Sequence, residues 1–242
     1  KCATKVMLRG CRIKTLPYVN VNKFDYFQNI NGTIKQIIKK LHFPCIIKPS
    51  NLGSSIGIKV AHDTNDLKKA LEDAFMFDMK VLVEKALTNF YELNISARLK
   101  NGKVLLSEIE KPIKNDEILS FKDKYMKNGK GKKSSNAKGM ASLQRQTNLN
   151  LDNELKEKIE NTTIKAYKAL DLSGIVRCDY LVSEDNVYLN EINSIPGSLA
   201  FYLWSDYTFS SLLDEEINSA IKRKLLSDDL VKTFNSSIFE KK

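Results

Sequence analysis

Two hairpin signatures limit the folds that this chain can adopt. In the first, strands expected at 92–99 and 104–109 flank Asn101-Gly102, a dipeptide typical of tight β-turns. In the second, the polar loop SEDN joins the apolar segments GIVRCDYLV and VYLNEIN. Other segments have helical rather than alternating periodicity, so the paired strands occur beside separate helices. This organisation predicts an α+β fold with antiparallel sheets rather than a parallel βαβ series.

The remaining elements are predicted from periodicity and from turn residues. Short strands are expected at 43–47, at 58–61 and in the segment VLVEK. Helices are expected at 22–41 with a break at Asn31-Gly32, from about Thr64, from about Asp152, and over a terminal segment with Phe209, Leu212, Leu213, Ile217 and Ile221. Their apolar faces would cover the sheets.

The composition excludes several classes of protein. The 242 residues include only 10 Gly and 5 Pro, which excludes collagen-like and linker-like chains. Four cysteines at irregular spacing and two histidines favour neither a disulfide framework nor a zinc site. No apolar run is long enough to cross a membrane and no signal pattern opens the chain, so we expect a cytoplasmic protein without a membrane partner. Because the chain begins at Lys1 rather than Met, we also expect a fragment or a processed product.

The net charge of +10 is concentrated in one stretch. Residues 111–138 contain nine Lys and three acidic side chains, with little apolar periodicity, which is typical of a long loop. Such a loop is either solvated or an anion-binding lid. A nucleic-acid surface is the third interpretation, but Arg is scarce and no aromatic residues are interleaved with the run KNGKGKK. Nucleic acid is therefore not the expected partner.

The second hairpin carries the most informative polar side chains. Arg177 and Asp179 share one face of a strand because they are two residues apart, and so do Glu191 and Asn193 on its partner. If the loop has three residues, Asp179 lies opposite Glu191, and facing carboxylates repel unless a cation neutralises them. These oxygen ligands suit magnesium, with Arg177 beside it to bind a phosphoryl group. The alternative is an exposed sheet face with ordinary ion pairs.

A lysine and the loop after it form a second candidate site. Lys48 ends an apolar strand, where its stem can be buried and its ammonium directed at an anion. In the following loop Gly53 and Gly57 allow backbone N–H groups to approach a ligand, and Ser54 adds a hydroxyl donor. An ordinary turn beside a strand-end lysine is the alternative.

The segment VLVEKAL is a third candidate. An exposed strand end with free backbone groups can recognise a purine edge, and a carboxylate nearby, such as Glu92, can bind ribose hydroxyls. A solvated hinge is the alternative. The three candidates gain weight together because they follow one another in a single chain.

That order of segments resembles the D-alanine–D-alanine ligase family of ATP-grasp enzymes. The resemblance rests on FPCIIKPSNLGSSIGI, VLVEKAL, GIVRCDYLV and YLNEINSIPG, and it extends over nearly the whole chain. It implies an α+β ATP-grasp fold in which two lobes, 1–88 and 89–242, enclose ATP, with a Lys-rich lid loop at about 115–147. It also implies that the chain begins after an N-terminal domain of the family.

The resemblance assigns ligand-binding roles to individual residues. Magnesium, with manganese as an alternative ion, would be bound by Asp179, Glu191 and Asn193. Lys48 would bind phosphate oxygens of ATP, Lys1 would be the family's other ATP-binding lysine, and Lys124 would lie near the γ-phosphate. Adenine would meet Glu84 and the backbone of Lys85, Ala86 and Leu87, and the ribose would meet Glu92.

Catalytic roles follow from the same resemblance. Arg177 would stabilise the transferring phosphoryl group, and the N–H groups around Gly197 would stabilise an oxyanion. Tyr125 would meet Ser54 when the lid closes.

The implied reaction is ATP-dependent synthesis of D-alanyl-D-alanine for the cell wall through an acyl phosphate. Phe201 and Tyr202 stand where the family usually has His and Ser, so a ligase for a different amino acid or a peptide-like acceptor is the alternative. A non-catalytic polyanion-binding module that uses Lys111–Lys138 is the alternative from another class. A homodimer is expected from the family.

Overall fold

The computed structural model describes residues 1–113, 145–184, 186–231 and 233. Its helices are α1 (Cys2–Gly10), α2 (Lys23–Gln28), α3 (Ile30–Leu41), α4 (Thr64–Ala74), α5 (Asn153–Ala169) and α6 (Phe209–Asp228), with a 3-10 segment at Gly197–Leu203. Its strands are β1 (Tyr18–Asn22), β2 (Cys45–Pro49), β3 (Lys59–Ala61), β4 (Lys80–Lys85), β5 (Tyr91–Lys100), β6 (Lys103–Pro112), β7 (Arg145–Gln146), β8 (Val176–Ser183) and β9 (Asn186–Asn193). Every strand pairing among the described residues is antiparallel, which confirms the predicted α+β class.

The first sheet has the strand order β1-β4-β2-β3. One of its faces packs against α3 and α4, where Ile37 and Leu71 are fully buried together with Ile47 of β2. Because successive residues of a strand point to opposite faces, Lys48 faces away from this core. Glu84 of β4 lies on that same opposite face, so the sheet presents both charges on the side away from α3 and α4.

The second sheet has the order β7-β6-β5-β8-β9. Its core lies under α5, where Ile159 packs with Cys178 and Tyr180 of β8. The alternation along β8 turns Arg177 and Asp179 to the other face. Each sheet therefore packs one apolar face against helices, and the polar residues predicted for the site lie on the reverse faces.

Helix α1 lies where the two sheets meet. Cys2 packs with Tyr18 and Leu82 of the first sheet, whereas Leu8 belongs to the core of the second. The lobe boundary predicted near residue 88 falls in the connection between β4 and β5, and α1 contributes to both cores. The division into 1–88 and 89–242 stays a prediction.

The register of the second hairpin was expected from a three-residue loop, and that loop length is wrong. Ser183 pairs with Asn186, so the loop has two residues, an offset that by itself would put Asp179 opposite Asn190. A β-bulge at Asn190 shifts the register back by one residue, and Asp179 pairs with Glu191. The predicted facing of the two carboxylates is confirmed, although by a different geometry.

The N-terminal part of the chain differs most from the sequence-based expectation. The sequence reasoning missed α1 and β1, and the long helix expected at 22–41 is two helices. The break falls at Asn29 rather than at Asn31-Gly32, because the Asn29 side chain accepts a hydrogen bond from the N–H of Gly32 at 2.9 Å and caps α3.

Two further expectations concern the lid loop and membrane-spanning segments. Of the loop expected at 115–147, residues 115–144 lie outside the described residues, while Arg145-Gln146 form β7 beside β6. Among the described helices, none has the length and apolarity to cross a bilayer.

Arg98 holds α6 against the second sheet. Its side chain is 1% exposed, forms ion pairs with Glu215 and, at 3.2 Å, with Glu216, and lies 4.7 Å from the centre of the Tyr207 ring and 5.3 Å from that of Trp204. Removal of this buried guanidinium, with its two carboxylate partners left in place, is expected to destabilise the fold strongly.

We therefore expect Arg98→Met to lower the free energy of unfolding by about 3 kcal/mol, since it leaves two carboxylates facing an apolar pocket. Lys100→Met is the matched control, because Lys100 also pairs with Glu215 but is much more exposed. Urea unfolding monitored by circular dichroism measures both. Equal midpoints for the two variants would contradict this role of Arg98.

Candidate functional site

Two adjoining cavities lie between the second hairpin and the face of the first sheet that carries Lys48 and Glu84. The larger, of about 450 Å³, is lined on one side by Lys48 and Glu84 and on the other by Asn190 and Glu191. The smaller, of about 270 Å³, extends it past the loop after β2 to Arg177 and Asp179. Lys1, Gly53, Glu191 and Asn193 line both cavities, so the two form one continuous site.

The hairpin end of the site holds the predicted acidic cluster. Arg177 donates from Nε to Asp179 Oδ1 at 2.6 Å and from Nη2 to Asp179 Oδ2 at 2.8 Å. Asn193, opposite Arg177 in the register, donates to Asp179 Oδ2 at 3.0 Å. Burial by itself would lower the pKa of Arg177, but the adjacent Asp179 carboxylate outweighs it and raises that pKa above its ordinary value. The structure thus brings together all four residues predicted for this end.

The floor of the larger cavity holds three buried charges, Lys5, Glu84 and Lys48, which we call the lysine–glutamate triad. Glu84 is fully buried; Oε1 lies 2.7 Å from the ammonium of Lys5 and Oε2 lies 2.7 Å from that of Lys48. Burial would raise the pKa of Glu84, but the two lysines together lower it, so the carboxylate stays ionised. Burial likewise opposes the charge of Lys48, and Glu84 more than compensates, raising the Lys48 pKa.

Lys1 and the loop after β2 form the roof of the site. The Lys1 ammonium donates to the carbonyl of Leu52 and lies 3.5 Å from Glu191 Oε1. Ser54 and Ser55 both have left-handed backbone with φ of 54° and 60°, so the loop turns sharply into the smaller cavity. The structure therefore places Lys1, Lys48 and Ser54 around one site, and their roles in ATP binding and catalysis stay predictions.

A tight turn follows Pro196-Gly197 at the far end of the smaller cavity. Ser198, Leu199 and Ala200 all have left-handed backbone, with φ between 49° and 54°, and Gly197 lines the cavity. The turn places Tyr202 beside Arg177, and the Tyr202 hydroxyl accepts a hydrogen bond from Arg177 Nη1 at 3.2 Å.

The Tyr202 ring is held from a second direction. The guanidinium of Arg145 lies 3.7 Å from its centre, and Arg145 also pairs with Glu110 at 3.0 Å. Tyr202, which in the sequence is only a departure from the family pattern, thus contacts Arg177, the predicted catalytic arginine.

Of the residues predicted to bind adenine and ribose, Glu84 lines the larger cavity, where its carboxylate pairs with Lys5 and Lys48, while the others lie beside the two cavities. Lys85, Ala86, Leu87 and Glu92 line neither of the two cavities. The N–H groups of Lys85 and Ala86 donate to the carbonyls of residues 17 and 44, each at 3.0 Å, and cannot also donate to a base. Other groups of this segment would have to contact the adenine.

The lid residues predicted to act in catalysis are not part of the described structure. Lys124 and Tyr125 lie outside the described residues, as does most of the stretch 111–138. Their roles stay predictions from the resemblance.

Sequence reasoning missed two residues of the site, Lys5 and Asn190. Asn190 is the bulge residue of β9, and its Oδ1 accepts a hydrogen bond from Lys48 at 3.4 Å. Lys5 lies on a helix that the sequence did not reveal. A lysine four residues after Lys1, on the same face of a helix, is the signal that could have indicated it.

The donor set at the hairpin end fits a magnesium ion. Asp179 and Glu191 supply carboxylate oxygens and Asn193 an amide oxygen, all on one face of one hairpin. In the described ranges no three His, Cys, Asp or Glu side chains converge into a complete metal cage. Magnesium suits such a partial set, because it keeps waters and takes substrate phosphate oxygens as further ligands.

A comparison with known protein families identifies the chain. The family model described as the D-ala D-ala ligase C-terminus matches residues 7–208, which include the triad residues Lys48 and Glu84 and the whole second hairpin. The chain belongs to the D-alanine–D-alanine ligase family. The ATP-dependent, ATP-grasp character expected from the resemblance is that of this family.

Individual relatives agree with this assignment. A D-alanine–D-alanine ligase of Thermosipho africanus is 35% identical over an alignment that covers 100% of this chain and 63% of the relative. One from Campylobacter lari is 39% identical over 208 residues, covering 86% and 54%. The crystal structure of the Helicobacter pylori D-alanine–D-alanine ligase superposes with a TM-score of 0.65 at 35% identity, covering 90% of this chain and 60% of that one. The chain spans between just over half and just under two thirds of the length of these ligases.

Proposed function

We propose that this chain forms the nucleotide-binding part of an ATP-dependent ligase that joins the carboxylate of one D-alanine to the amine of another. The observation that carries the proposal is the convergence of Lys1, Lys48 and Arg177 with Asp179 and Glu191 on one continuous cavity. Fixed positive charge beside carboxylates is the arrangement that phosphoryl transfer requires, because its transition state spreads negative charge over phosphate oxygens.

In this proposal the triphosphate of ATP lies along the two cavities. Lys1 and Lys48 donate to phosphate oxygens, and the left-handed loop at Ser54 directs hydroxyl and N–H groups at the same oxygens. Asp179, Glu191 and Asn193 would hold Mg²⁺ or Mn²⁺, which supplies neutralising charge and orientation to the phosphates when bound.

Arg177 has the central chemical role proposed for this chain. The carboxylate of the first amino acid attacks the γ-phosphorus of ATP, forming an acyl phosphate and releasing ADP. The amine of the second amino acid then attacks the acyl carbon and releases inorganic phosphate. Asp179 fixes the Arg177 guanidinium through two hydrogen bonds, so that the positive charge is already in place when the phosphoryl group transfers.

One observation favours a different second amino acid from D-alanine. Tyr202 contacts Arg177 and lies between it and Arg145, at a place where the family usually has Ser. A phenol there changes both the size and the hydrogen bonding of the acceptor pocket. A ligase for another amino acid or a peptide-like acceptor is therefore the second candidate.

We also propose a cytoplasmic location, where ATP is available, and a homodimer as expected from the family. No described residue favours the non-catalytic polyanion-binding alternative, since its lysine stretch lies largely outside the described residues. Steeply salt-dependent binding of a nucleic acid to the chain would support that alternative.

Phosphate release from ATP tests the proposed reaction. We expect D-alanine to stimulate release more than other amino acids, measured for this chain and for any longer natural form that contains it, with product dipeptide identified by mass spectrometry. Stimulation by a different amine, with D-alanine inactive, would favour the second candidate. ATP turnover without dipeptide formation in every form would contradict the ligase.

A further inference from the structure

Lys5 is a buried cation at the junction of the two sheets, and no role has been assigned to it. Its side chain is 3% exposed, and its ammonium lies 2.7 Å from Glu84 Oε1 on the first sheet. The same ammonium lies 3.5 Å from the carbonyl of Leu189 on the second sheet. A lysine in this position is rarely buried without a reason, because its desolvation is costly.

The three charges of the triad do not cancel, so Glu84 cannot fully neutralise Lys48 while Lys5 is also its partner. Two ammonium groups and one carboxylate leave one net positive charge on the cavity floor. Glu84 divides its two oxygens between the lysines, with one oxygen for each. Without Lys5, Glu84 and Lys48 would form a closed, neutral pair, and the attraction of Glu84 would compete with any anion for the Lys48 ammonium.

We propose that Lys5 is a positioning residue that neutralises Glu84, so that the Lys48 ammonium carries an uncompensated charge toward the phosphates of the nucleotide. The inference rests on the proposed nucleotide site and adds a residue that acts through Lys48 without contacting the reacting atoms. It also explains why a carboxylate can be fully buried beneath a phosphate site: the second lysine removes the repulsion that its charge would exert on the phosphates.

The electrostatics of the three groups agree with this geometry. Burial lowers the pKa of Lys5, and Glu84 is the group that opposes this effect most strongly. The pKa of Lys48 is raised, with further contributions from Glu191 and Glu92. Glu84 therefore favours the charged form of both lysines: it outweighs burial at Lys48 and opposes burial at Lys5, where it lies 2.7 Å from the ammonium.

The test compares four forms of the chain for binding of tripolyphosphate and of ATP, each with Mg²⁺, by calorimetric titration. Tripolyphosphate lacks adenine, so it reports on the phosphate site alone. The forms are the unmodified chain, Lys5→Met, the double variant Lys5→Met/Glu84→Gln, and Lys68→Met as a control on the exposed face of α4. Thermal unfolding is recorded for each, so that only folded protein is compared.

We expect Lys5→Met to weaken tripolyphosphate binding about 10- to 100-fold, from the loss of one unit of charge near the anion. The double variant restores the net charge of the floor to +1 and should recover most of that affinity. Lys68→Met should bind like the unmodified chain. Among variants that unfold at the same temperature as the unmodified chain, this recovery is not expected of a lysine whose role is only structural.

The outcomes separate this inference from the proposed function. If the unmodified chain binds both ligands but Lys5→Met binds equally well, or if the folded double variant stays as weak as the single one, the role of Lys5 is overturned while the nucleotide site stands. If the unmodified chain binds neither ligand, the proposed function fails and the inference fails with it. A Lys5→Met chain that does not fold leaves the double variant, in which the unpaired carboxylate is absent, to decide by its affinity.

Discussion

Glu191→Gln should remove the magnesium dependence of ATP binding while leaving the protein folded. Glu191 is about a third exposed, lies 3.5 Å from Lys1, and faces Asp179 across the hairpin. Gln keeps the shape of the side chain but loses the charge that a divalent cation needs. Loss of a group that supports a metal ligand commonly costs 10- to 100-fold in metal affinity, so loss of a proposed ligand should cost about 100-fold.

Asp179→Asn, which likewise replaces a carboxylate by an amide, should also lower the stability of the fold. Asp179 accepts two hydrogen bonds from the buried Arg177 and carries its counter-charge, so Asp179→Asn leaves that guanidinium without its counter-ion. We expect loss of magnesium-dependent binding together with a fall of about 3 kcal/mol in the free energy of unfolding.

Calorimetric titration with ATP, with and without Mg²⁺, and urea unfolding distinguish the two variants. Glu184→Gln, in the exposed loop of the same hairpin, is the matched control and should change neither quantity. An unchanged ratio of affinities with and without magnesium in Glu191→Gln would exclude this residue from the metal site.

Lys48→Met should weaken ATP binding about 100-fold, with or without magnesium, because it removes the proposed phosphate donor from the cavity floor. The loss should not unfold the chain, since Glu84 keeps Lys5 as its partner at 2.7 Å. The stem of Met fills the space of the lysine methylene groups.

Lys59→Met is the matched control for Lys48→Met. Lys59 lies on the neighbouring strand β3, is about half exposed and pairs with Asp73 at the surface. Calorimetry with ATP should give the unmodified affinity for Lys59→Met. Equal affinities for the two variants would remove Lys48 from the phosphate site.

Local patterns predicted the parts of the fold that depend on neighbouring residues. The hairpin turn at Asn101-Gly102, the helices α4 and α5 and the strands β2 and β4 all follow from spacing and turn chemistry. By contrast, α1 was hidden because Lys5 occupies a position where a buried residue is expected to be apolar. Its burial depends on Glu84, which is far along the chain and meets it only in the folded protein.

In the candidate site, too, the sequence predicted what depends on neighbouring residues and not what depends on tertiary contacts. Alternation placed Arg177 with Asp179 and Glu191 with Asn193 on common faces, which needed no tertiary information. The register between them needed both a loop length and a bulge, and the two errors in the expected geometry cancelled at Asp179 and Glu191. A bulge responds to packing on both sides of a strand, so one strand's sequence does not determine it.

The most direct test of the account is a titration of the unmodified chain with ATP at constant ionic strength, once with Mg²⁺ and once with EDTA. We expect a single class of site that binds ATP more tightly with Mg²⁺ than without it, because the phosphates and the carboxylates of the second hairpin need a shared cation. Absence of binding, or equal affinity in the two titrations, would contradict a magnesium–nucleotide site between the two sheets.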